Sequence, residues 1–215
     1  LERSHEIIIP YPPGFGDSER PLWITRPDDI AFLWLELVEK LKLKDATVLG
    51  FSLGGWIAAE MATMDDSWIG RLVLVAPYGI KLGGPTDRDI ADVWLLNPKK
   101  VMALKWHDQD KGKRDYAAMP DEKLTRIAQA IETTARLCWE PYMYNPKLRH
   151  RLHRIGVPTL LVWGENDGIV KAQSYGSGFA ELIPGAKLKV IAEAGHLPHL
   201  EQPAAFMNAL GGFLG

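Results

Sequence analysis

The sequence predicts an α/β protein: a mostly parallel sheet with helices on both faces. Short apolar runs that read as strands recur along the chain, and stretches of helical periodicity fall between them. One of those runs, "RLVLVAP" (71–77), is apolar from Leu72 onward, as expected of a strand covered on both faces. The 215 residues, 47% of them hydrophobic and 24% charged, suffice for one sizeable core.

The elements follow in order. Glu6 to Pro10 reads as a short buried strand, ended by the breaker-rich "PYPPGFGDSERP". From Asp28 to Lys44, Ile30, Leu33, Leu37, Val38 and Leu41 recur near the 3.6-residue period of an amphipathic helix. "DATVLG" (45–50) is a second strand, Ser52 to Met64 the helix after it, and 71–77 the third strand. "VPTLLVWG" (157–164) and "AKLKVIA" (186–192) are the fourth and fifth. A helix is expected over Val170 to Ile183, and another over Pro203 to Leu214. Residues 78–156 break this rhythm. They show helical patterning at Leu124, Ile127, Ala128, Ile131 and Ala135 and no convincing strand, so they read as an inserted helical cap. The expected organisation is a core of residues 1–77 and 157–215 with a cap over 78–156.

"VLGFSLGGW" (48–56) places Ser52 inside G-x-S-x-G at the end of a strand. Alone, this is either a glycine-rich turn or a nucleophile on a tight strand-to-helix turn. A serine nucleophile needs a base to take its proton and a carboxylate to orient that base. In a parallel sheet such partners belong on loops at the carboxyl ends of strands. Two loops qualify: "WGENDGIV" offers Asp167 after the fourth strand, and "EAGHLPHLEQP" offers His196 after the fifth. The order Ser52, Asp167, His196, each just beyond a different strand, favours the catalytic reading.

With those motifs in hand, the chain resembles the α/β-hydrolase-fold proteins. "PPGFGDS" resembles their loop after an early strand, "GFSLGG" their nucleophile elbow, "VPTLLVWGENDGIV" their acid loop and "AGHLPHLEQP" their histidine loop. The resemblance implies Ser52 as nucleophile, His196 as general base and later acid, and Asp167 as orienting carboxylate. The Leu53 backbone N–H would then be one oxyanion donor. It further implies a serine hydrolase of small esters or related acyl compounds. The alternatives are a C–C hydrolase of aromatic ring-fission products and a non-catalytic ligand-binding protein. Several C–C hydrolases carry tryptophan after the histidine where this chain has Leu197. Phe51, Trp139 and Leu197 are candidate substrate contacts. The family's H-G-type turn, which supplies the second oxyanion N–H, is not visible, nor is the strand that should lie between 6–10 and 46–50. Either a longer protein has been truncated, as Leu1 in place of methionine suggests, or the first strand pairs directly with the second and the Pro12 to Gly16 loop supplies the donor.

Other readings are set aside. The net charge of −2 gives no bulk attraction to nucleic acid or acidic membranes, and no apolar run approaches the ~20 residues of a membrane span. Pro198 between His196 and His199 argues against a one-turn helical metal site, and no phosphate-binding glycine loop follows a strand. No metal and no cofactor is expected. The expected partner is a small-molecule substrate, with homo-oligomerisation left open. The single cysteine, Cys138, fits a reducing compartment, hence a cytoplasmic location.

Overall fold

A computed structural model describes residues 5–215. Four parallel strands lie in sequence order, β1 (Ala46–Phe51), β2 (Ile69–Val75), β3 (Thr159–Gly164) and β4 (Lys187–Ile191). Side chains alternate between the faces. Leu72, Leu74, Leu161 and Trp163 enter the main core, while Val73, Val75, Leu160, Val162 and Ile191 enter a second one. Both central strands are therefore apolar on both faces.

The main core lies under α1 (Pro27–Leu41) and α2 (Leu53–Met64). Asp29 accepts the backbone N–H of Thr25 and of Arg26 at 2.8 and 3.0 Å, and Pro27 needs no partner for a missing N–H, so α1 starts there. Every residue of α2 from Gly55 to Thr63 is buried, which accounts for its lack of a polar face. The second core is covered by α8 (Pro203–Leu214) through Phe206 and Leu210.

Residues 78–156 carry α3 (Pro98–Lys105), α4 (Gln109–Gly112) and α5 (Asp121–Cys138), with two short 3₁₀ turns at Leu148–His150 and Leu152–Arg154. Ile80, Leu137, Cys138, Met143, Leu148, Leu152 and Ile155 of this segment belong to the same buried cluster as α1 and α2. Between β3 and β4, a π-helical turn at Ala172–Gly176 runs into α6 (Ser177–Glu181), where a helix over 170–183 is expected. α7 (Pro198–Glu201) precedes α8.

The expected strand at Glu6 to Pro10 does not form. Residues 6–10 join no ladder, and Ile7, Ile8 and Ile9 are 44%, 47% and 78% exposed. An apolar run becomes a strand only where a neighbour takes up its backbone groups, and β1 pairs with β2 alone among the described residues. The alternative of direct pairing between this segment and β1 is likewise not realised.

Candidate active site

At the end of β1 the chain reverses through Ser52, whose φ of 52° and ψ of −114° lie where non-glycine residues rarely sit. Three backbone bonds hold the turn: Ser52 N–H to the Val75 carbonyl at 2.8 Å, and the N–H groups of Trp56 and Tyr78 to the Ser52 carbonyl at 3.1 and 3.3 Å. A Cβ on Gly50 would lie 2.5 Å from the Gly54 carbonyl oxygen, and one on Gly55 2.9 Å from Pro77 Cβ. Gly50 and Gly55 thus let strand, helix and the loop after β2 approach closely. Gly54, the last glycine of the motif, meets nothing within 4 Å. Leu53 opens α2, so its N–H has no carbonyl partner within the helix.

Asp167 and His196 are both buried, at 4% exposure each, on the loops after β3 and β4. Asp167 Oδ1 accepts the Ile169 and Val170 N–H groups at 2.9 and 3.0 Å, which leaves Oδ2 facing His196 Nδ1 at 2.8 Å. That acceptor assigns the ring proton to Nδ1, so Nε2 presents a lone pair to Ser52 Oγ, 3.0 Å away. The structure therefore brings Ser52, His196 and Asp167 into one hydrogen-bonded row. Such a row can move a proton from the serine hydroxyl to the imidazole while the carboxylate steadies the resulting cation.

The histidine loop is clamped by Glu201, a carboxylate within "EAGHLPHLEQP" whose role its spacing alone does not reveal. Buried Glu201 accepts the Gly195 N–H on Oε2 at 2.6 Å and the Asp108 N–H on Oε1 at 2.8 Å. The His196 N–H itself donates to the Lys105 carbonyl at 2.8 Å. Tyr78, unremarked in the sequence, places its hydroxyl 3.0 Å from His196 Nε2. Its position just past β2, the strand beside the serine turn, is the signal that would have found it.

The three candidate substrate contacts are dispersed. Phe51 packs against the second core, its ring tilted against His199 at 4.3 Å between centroids and against Phe206 at 6.0 Å. Leu197 is half-buried at the start of α7. Trp139 is 59% exposed and lines a cavity of about 440 Å³ with Tyr142, Tyr144 and Arg88, whose lining includes none of Ser52, Asp167 or His196. In the loop at 12–16, two residues are prolines and lack an N–H. The Gly14 and Phe15 N–H groups bond within the turn, to the Ser18 and Pro12 carbonyls, and Gly14 rests on Thr133 of α5. Among these five residues only Gly16 retains a donor without a bond inside that turn.

Among the described residues no helix is long and apolar enough to cross a membrane, and no group of three or more His, Cys, Asp or Glu is placed to hold a metal ion.

A model of the alpha/beta hydrolase family matches residues 2–209. The chain is 24% identical over 234 residues to the biotin biosynthesis bifunctional protein BioHC of Teredinibacter turnerae, spanning all of this chain and 40% of that protein. It is 25% identical over 228 residues to 2-hydroxymuconate semialdehyde hydrolase of a Pseudomonas species, spanning all of this chain and 78% of that one. Among solved structures, an esterase from Exiguobacterium antarcticum superposes with a TM-score of 0.71 at 22% identity, over 94% of this chain and 79% of the other.

Proposed function

We propose that this chain, which belongs to the alpha/beta hydrolase family, cleaves a small-molecule ester or related acyl compound through an acyl-enzyme on Ser52. The observation that carries the reading is the row in which His196 Nε2 lies 3.0 Å from Ser52 Oγ while Nδ1 faces Asp167 at 2.8 Å. Ser52 Oγ attacks the substrate carbonyl as its proton passes to Nε2, and the carbonyl electron pair moves onto oxygen. The Leu53 N–H, at the positive end of α2, donates to that oxyanion. Collapse of the intermediate expels the leaving group, which takes the proton from Nε2. Water, activated by the same nitrogen, then releases the acid.

A second reading is C–C hydrolysis of an aromatic ring-fission product, in which the departing group is a carbon rather than an oxygen. It is favoured by the similarity to 2-hydroxymuconate semialdehyde hydrolase.

The test is reaction with a fluorophosphonate probe and with short p-nitrophenyl esters, beside Ser52→Ala. Labelling and turnover that vanish in the variant are expected. Turnover that survives in Ser52→Ala overturns the nucleophile. A ring-fission dienoate, followed by its absorbance loss, separates the two readings: consumption of the dienoate without ester turnover selects the second.

A further inference from the structure

Tyr78 is tied to the site at both ends. Its N–H donates to the Ser52 carbonyl at 3.3 Å, and its buried hydroxyl lies 3.0 Å from His196 Nε2. Its ring runs nearly parallel to the imidazole, with 8° between planes and centroids 5.4 Å apart. Two hydroxyls therefore face one acceptor, since Ser52 Oγ is also 3.0 Å from Nε2. With Nδ1–H engaged by Asp167, Nε2 has a single in-plane lone pair and serves one donor well. If Tyr78 donates to it, the serine proton points away from its base. The arrangement that aligns every group is a chain: Tyr78 O–H to Ser52 Oγ, and Ser52 O–H to Nε2. Burial holds the phenol well above the ordinary tyrosine range, so it keeps its proton and acts as a donor.

From this geometry we propose that Tyr78 is a fourth catalytic residue, whose O–H donates to Ser52 Oγ and stabilises the charge on that oxygen during proton transfer. The proposal rests on the reading of Ser52 and His196 as nucleophile and base. In acylation the Oγ–H bond breaks, Nε2–H and Oγ–C form, and the carbonyl pair moves to oxygen, while Tyr78 retains its proton. In deacylation the same hydrogen bond meets Oγ as it leaves the acyl carbon. A donor already aimed at the oxygen needs no reorganisation at either step.

Tyr78→Phe removes one oxygen and keeps the ring. The phosphonylation rate and kcat should fall about 10- to 100-fold, the value of one hydrogen bond to a charged group, with KM nearly unchanged. The loss should be equal for aryl and alkyl esters, because the hydrogen bond acts on Ser52 and not on the leaving alcohol. An unchanged unfolding midpoint and a retained downfield Nδ1–H proton resonance show that the fold and the His196–Asp167 pair survive. If Tyr78→Phe does not fold, replacement of Tyr78 by 3-fluorotyrosine, a stronger donor of the same shape, should raise the phosphonylation rate. A rate unchanged or faster in Tyr78→Phe, or unmoved by the fluorinated side chain, overturns the role of Tyr78 while the reactive serine stands. Absence of reaction in the wild type, or labelling that persists in Ser52→Ala, overturns the nucleophile reading and this proposal with it.

Discussion

Glu201 Oε2 accepts the Gly195 N–H at 2.6 Å, one residue before His196. The other oxygen of the same side chain holds the Asp108 N–H, so one buried carboxyl joins the histidine loop to the segment after α3. Glu201→Gln swaps one acceptor for an NH₂ that must face an N–H. The expected loss is about 1–3 kcal/mol of stability, from one orphaned donor. kcat should fall with little change in KM, because the imidazole shifts while the substrate surface does not. Urea unfolding and steady-state kinetics check both.

Asp167→Asn should reverse the imidazole tautomer. The Ile169 and Val170 N–H groups need an oxygen, so the Asn oxygen is drawn to them and its NH₂ faces His196. Nδ1 must then accept, and Nε2 carries the proton toward Ser52, where the proposed mechanism needs a base. The expected loss in kcat is about 10⁴-fold with the fold intact. Esterase kinetics and circular dichroism together test it.

The glycines of the serine turn should separate on substitution. A methyl on Gly50 would collide with backbone, so Gly50→Ala is expected to cost about 1–3 kcal/mol. Gly54 faces open space within α2, and Gly54→Ala should gain about 0.5–1 kcal/mol from helix propensity. Thermal unfolding of the two variants should therefore move in opposite directions.

Glu60 gives a pH dependence. It is fully buried, accepts the Trp56 Nε1–H and Asn145 Nδ2–H on Oε1 at 3.0 and 2.8 Å, and leaves Oε2 without a partner among the described residues. Burial raises its pKa above the ordinary carboxyl value of 4.5. The native state then binds more protons than the unfolded chain. Stability from this group is full below the unfolded pKa and falls as pH rises toward the folded one. Glu60→Gln should lose that slope, so the urea midpoint of the variant gains on the wild type as pH rises from about 4.5 toward neutrality. Midpoints that stay a constant distance apart would refute it.

Much of this was legible because the signals are local. Apolar patterning marks β1 to β4, helical spacing marks α1 and α5, and the parallel order sends Ser52, Asp167 and His196 to one end of the sheet. Ile7 to Ile9 misled because apolarity is a property of the residue, whereas a strand requires a neighbour. The role of Gly55 was hidden because its contact is with Pro77, far along the chain, while Gly54 merely completes the pattern. Glu201 and Tyr78 act through atoms brought close only by the folded loops. Trp139 showed aromatic character but not its direction, and it faces a different cavity.

The Ser52–His196 contact spans 144 residues and links the loop after one outermost strand to the loop after the other. Contacts of such long range form after the loops between them have closed. A molecule with β4 undocked keeps its serine turn but has no imidazole beside it. Covalent labelling of Ser52 would then count completed molecules in a refolding mixture, which spectroscopic helix content, carried largely by local segments, does not.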